Sequence, residues 1–79
     1  MDEKLREKLA EYAHESWCGW MDYLFSKGIF HDDGTFTLEA WAAERWRRQA
    51  ITSYNDLPEN EKESDRKEAD KMMEIINNV

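Results

Sequence analysis

The chain has 79 residues, enough for one small domain spanning 1–79 and near the lower limit of what a single core stabilises unaided. Eleven Lys and Arg against eighteen Asp and Glu give a formal charge of −7, which argues against general affinity for nucleic-acid backbones or anionic membranes, because phosphate is held by clustered cations. A single cysteine, Cys18, excludes an internal disulfide and a thiolate zinc cluster, so no cofactor is expected, and the packing of four tryptophans, three tyrosines and three phenylalanines must hold the fold together.

The longest run of helical periodicity extends from Leu5 to Phe25 and predicts a first helix opening at Asp2 or Glu3, where acidic residues suit the helix dipole. Leu5, Leu9, Tyr12, Ala13, Trp17, Trp20 and Leu24 recur at spacings of three and four and make one face too aromatic to stay bare. Gly19 sits inside this helix, where glycine costs about 1 kcal/mol, and so points to close approach by a neighbouring helix or to a bend. Ser26-Lys27-Gly28 reads as the stop, with Gly28 taking the left-handed conformation.

Asp33-Gly34 is a turn signal within Ile29–Thr37. The expectation is an irregular loop that tucks Phe30 and Phe36 into the core, with room for brief pairing of Ile29-Phe30 with Thr35-Phe36. Thr37 reads as the N-cap of a second helix from Leu38 to about Thr52. Leu38, Trp41, Ala42, Trp46 and Ala50 give that helix a wide apolar stripe, and Arg45, Arg47 and Arg48 give it the only concentrated positive charge. These arginines are expected to favour the helix C-terminus and to pair with carboxylates. Ser53 to Pro58 is a linker with turn chemistry. A third helix should follow from about Pro58 to Asn77, charged in its first half, with i,i+4 pairs such as Glu63 with Lys67, and with apolar contacts from Leu57, Ala69, Met72, Met73, Ile75 and Ile76.

No apolar run approaches the ~20 residues of a membrane span, and MDEKLREKL lacks the apolar middle of a secretion signal, so a reduced, cytoplasmic setting is expected. The fold class is all-α, a compact three-helix domain with a very short hairpin allowed between helices one and two.

Reactive machinery is sparse. His14 and His31 have no partner at metal-ligand spacing, and Asp32-Asp33-Gly34 lacks the ligand series and closing glutamate of a calcium loop. Cys18 and His14 stand one helical turn apart without a third group, so the chain reads as a non-enzyme. His14 and Trp17 lie at the apolar boundary of the first helix near Tyr12 and Trp20. They belong either to a histidine satisfied by backbone or carboxylate, or to an aromatic pocket into which Arg45 or Arg48 brings charge. An anionic, nucleotide-like ligand in such a pocket would be held by stacking and an arginine fork.

Two blocks resemble a known family. Ala10-Glu11-Tyr12-Ala13-His14-Glu15-Ser16-Trp17 is similar to the His-x-x-Trp block that opens the ryanodine receptor repeat, or RyR domain. The segment from Tyr54 to Arg66 resembles its second block, a Tyr-x-x-Leu linker leading into a charged helix. Trp41-Ala42-Ala43-Glu44-Arg45-Trp46 looks like a segment of small phage-encoded proteins. The resemblance implies a small helical, non-enzymatic binding module, with a ligand groove at His14, Trp17, Trp20, Trp41, Arg45 and Tyr54 that takes a small anionic, nucleotide-derived ligand or a peptide in phage–host conflict. The alternative is a phage-encoded acidic protein that inhibits a host defence protein through Glu59, Glu61, Glu63, Asp65 and Glu68. Aromatic surface left bare after the helices pack would indicate a homo-oligomer.

Overall fold

The computed structural model describes residues 2–78. Its elements follow the chain as α1 (Glu3–Phe25), β1 (Gly28–Phe30), β2 (Phe36–Leu38), α2 (Ala40–Ile51), a 3-10 turn (Tyr54–Asp56) and α3 (Glu59–Asn77). The fold is mostly helical, with three helices and one two-stranded antiparallel sheet.

Asp2 caps α1 by accepting the Lys4 backbone N–H at 2.9 Å, which satisfies one of the donors left free at a helix start. At the other end the Ser26 backbone N–H donates to the carbonyls of Asp22 and Tyr23, and the Ser26 hydroxyl donates to that of Tyr23. Gly28 does not take the expected left-handed conformation. It opens β1, paired with Leu38, while Ile29 faces Thr37 and Phe30 faces Phe36. The reason is steric: a Cβ at position 28 would collide with the Phe36 ring and the Thr37 carbonyl, so glycine admits β2 to close range.

The expected loop is therefore a hairpin. Phe25, Phe30 and Phe36 cluster with ring centroids 4.7 to 5.5 Å apart, which gives the short ladder an apolar reason to form. Gly34, at φ +90°, turns the chain. Asp33 Oδ1 accepts the Thr35 hydroxyl at 2.6 Å and its N–H at 2.9 Å, and these bonds hold the Asp33 carboxyl below its ordinary range.

Thr37 lies in β2, its hydroxyl 2.6 Å from His31 Nε2, and so does not cap the second helix. That helix starts two residues later than expected. Glu39 occupies the cap position, and its carboxylate takes the Trp41 indole N–H instead of a backbone donor. Thr52 ends α2, its hydroxyl donating to the Arg48 carbonyl at 2.6 Å. Pro58 stands at the cap position of α3, where a missing N–H is harmless. The charged half of α3 is laced by i,i+3 contacts and not by the expected Glu63–Lys67 pair: Glu63 accepts from Arg66 at 3.2 Å, and Arg66 also reaches Glu59, two turns back, at 3.0 Å.

The helices α1 and α3 pack antiparallel, since late α1 residues such as Tyr23 share an opening with Asn60 and Glu61, while Tyr12 shares one with Glu68 and Lys71. Leu5, Leu9, Tyr12 and Ser16 are half-buried on the packed side of α1, whereas Trp17 is 59% exposed, so the single apolar face read from the sequence splits in two. Only Ala42 is fully buried among the described residues. The shape is flat and extended, not compact: 44 × 33 × 17 Å with a radius of gyration of 16.0 Å. A globular domain of this length has about 12 Å. No helix among the described residues is long and apolar enough to cross a membrane.

Candidate functional site

A cleft of about 750 Å3 opens where α2 leans over the C-terminal end of α1 and the start of α3. Helix α1 contributes Trp20, Tyr23 and Leu24; α2 contributes Arg45, Trp46 and Gln49; α3 contributes Glu61, Ser64 and Asp65, with Leu57 from the linker below. The aromatic wall is built by spacing: Trp20 and Tyr23 are one turn apart and meet edge to face at 6.5 Å, and Tyr23 meets Trp46 of α2 at 5.8 Å. Lys27 Nζ sits 5.2 Å from the Tyr23 ring centre, within cation–π range.

Glu61 is the polar anchor of this cleft. Its side chain is 9% exposed, Oε2 accepts Arg48 Nη2 at 2.6 Å, and Oε1 is buried without a hydrogen-bond partner. The Arg48 guanidinium first, then the Gln49 amide and the charges of Arg48 and Arg45, hold its carboxyl below the usual range despite desolvation. A buried acceptor lacking a donor can take one from a ligand. The charged groups lining the cleft are Arg45, Asp65 and Glu61, the last already paired with Arg48.

A shallower opening of about 530 Å3 continues from this cleft along the α1–α3 seam past Tyr12, Gly19, Glu68 and Lys71. The Tyr12 hydroxyl and Glu68 Oε2 are both buried there without partners. Gly19 lines this opening, where an added methyl would meet nothing within 4 Å, so it does not mark the tight helix contact expected of it.

Of the six residues expected to form a groove, the structure brings Trp20 and Arg45 together in the cleft. His14 and Trp17 stack on each other at 6.2 Å on the open surface of α1, and His14 Nε2 lies 3.4 Å from Cys18 Sγ. Trp41 is exposed at the start of α2, and Tyr54 is exposed on the 3-10 turn under Lys62. The cause is length. With 12 residues against the 23 of α1, α2 covers only the final turns of that helix, and His14 lies about two turns before them. The sequence had already marked Trp20, Trp46 and Leu57 as apolar; Tyr23 and Gln49 join the cleft through contacts between elements, which no local pattern announces.

The five carboxylates expected to form one acidic surface are divided. Glu59 and Glu63 share Arg66 on the outer side of α3, Glu61 and Asp65 line the cleft, and Glu68 faces α1 with Lys71 at 3.9 Å. Among the described residues no group of three or more His, Cys, Asp or Glu is placed to hold a metal ion. Comparison with models of known protein families, with curated proteins and with solved structures finds no match to this chain.

Proposed function

We propose that this chain is a non-enzymatic binding module of RyR-like type, in which the cleft between α1, α2 and α3 receives a peptide segment carrying an apolar residue next to a lysine or arginine. The observation that supports this most is the buried, donor-lacking Oε1 of Glu61 set beside the aromatic wall of Trp20, Tyr23 and Trp46. Aromatic faces and carboxylates together favour a cation with an apolar stem. The cleft offers an anionic, nucleotide-derived ligand little, because Arg48 is already engaged by Glu61 and Arg45 shares the lining with Asp65. The likeness of the Trp41–Trp46 segment to small phage proteins makes a host protein the natural source of such a peptide.

Thermal-shift measurement with short peptides and with nucleotides separates the two ligand classes, since selective binding to the native state raises the melting temperature. Basic-apolar peptides should raise it in the wild type and not in Trp46→Ala or Glu61→Gln. A nucleotide that raises it while such peptides do not would overturn this reading.

A further inference from the structure

We infer that the peptide proposed for the cleft, a reading on which this second subsite rests, continues along the α1–α3 seam, crosses Gly19, and presents an asparagine or glutamine side chain to Tyr12 and Glu68. The two openings share Trp20, Tyr23 and Ser64, so they form one groove. Tyr12 and Gly19 stand seven residues apart on α1, as do Glu61 and Glu68 on α3. Two helical turns keep each pair on one stripe, about 10 Å apart. The groove therefore runs from Glu61 past Gly19 to an end formed by Tyr12 and Glu68.

Gly19 has no reason within the fold itself. Glycine weakens a helix interior, its φ here is not positive, and an added methyl would meet nothing within 4 Å. The missing side chain keeps the middle of the groove open, and glycine suits a place where a ligand passes close to the backbone. At the far end the Tyr12 hydroxyl and Glu68 Oε2 are buried without partners. Buried polar groups are almost always paired, and an opening of about 530 Å3 is far larger than a bridging water needs.

The chemistry of the pair selects the side chain. Glu68 Oε2 needs a donor, and the Tyr12 hydroxyl has a proton to donate. A carboxamide supplies an N–H for Glu68 and a carbonyl oxygen for Tyr12. A lysine or arginine brings no acceptor and would meet Lys71, whose Nζ lies 3.9 Å from Glu68 Oε1. A carboxylate brings no donor and is repelled by Glu68 and Glu15. An extended chain advances about 3.3 Å per residue, so the ~10 Å from Glu61 to Glu68 sets the carboxamide three residues from the basic residue.

Calorimetric titration of the full chain with end-blocked peptides tests this. One peptide reads leucine, lysine, two alanines and glutamine, a second has the reverse order, and each has a copy with methionine, of similar length, in place of glutamine. N-methylamide ends exclude a stray carboxamide. Glutamine should bind about tenfold tighter than methionine in one of the two orders, as two hydrogen bonds provide, and Tyr12→Phe should bring the ratio close to one. Gly19→Leu should weaken both peptides about tenfold without lowering the melting temperature, an outcome that a merely structural glycine does not give. Binding of the methionine peptides, and its loss in Glu61→Gln, reports the cleft by itself. No gain from glutamine, a preference that survives Tyr12→Phe, full binding to Gly19→Leu, or tighter binding with lysine in the place of glutamine overturns the subsite and leaves the cleft reading standing. Silence from every peptide overturns both.

Discussion

Arg48 Nη2 and Glu61 Oε2 meet at 2.6 Å, joining α2 to α3 across thirteen residues of chain, while the second oxygen of the same carboxylate is buried without a donor. Removing the arginine strands a carboxylate that is 9% exposed, whereas removing the charge leaves a neutral amide of the same shape. Arg48→Ala is therefore expected to lower the melting temperature by several degrees and Glu61→Gln by less, as read by circular dichroism. Equal losses would show that solvent screens the pair.

The same pair sets a pH dependence. The Glu61 carboxyl is held below its ordinary 4.5 chiefly by Arg48, and Glu59 is lowered chiefly by Arg66. A carboxyl that binds its proton less readily when folded contributes stability above its unfolded pKa, and that contribution is lost as pH falls below about 4.5 and through the lower folded value. The melting temperature should fall on acidification through this window, with the slope blunted in Glu61→Gln. Glu59, 76% exposed, is screened by solvent, and Glu59→Gln should change the slope little.

Three glycines should respond to alanine in three ways. Gly28→Ala forces a Cβ into the Phe36 ring and the Thr37 carbonyl and should cost about 1–3 kcal/mol, an overpacking penalty. Gly34→Ala meets open space but sits at φ +90°, so backbone strain alone should cost about 1 kcal/mol. Gly19→Ala lies within α1 with nothing near its Cβ and should stabilise by about 0.5–1 kcal/mol. Urea denaturation of the three variants gives these signs directly.

Ala42 has no exposed surface, the only such residue among those described. Ala42→Leu should overpack the contact of α2 with the rest of the fold and cost about 1–3 kcal/mol, while Ala43→Leu, exposed one residue later, should be within about 0.5 kcal/mol of wild type. Denaturant midpoints compare the two.

Periodicity and end signals in the sequence by themselves determined the helices: α1 from its cap at Asp2 to Phe25, and α3 from Pro58 to Asn77, because a helix is specified by interactions within four residues. The turn at Asp33-Gly34 was legible for the same reason, although the left-handed conformation expected at Gly28 falls instead on Gly34. Only the tertiary structure decided that Gly28 and Thr37 enter strands, that Trp20 enters the cleft while Trp17 stays outside, and that Glu61, one of many acidic residues, keeps a side chain only 9% exposed. Each of those outcomes depends on where the hairpin delivers α2 and how far its twelve residues reach along α1, and such contacts join positions far apart in the chain, where side-chain spacing along one element carries no information.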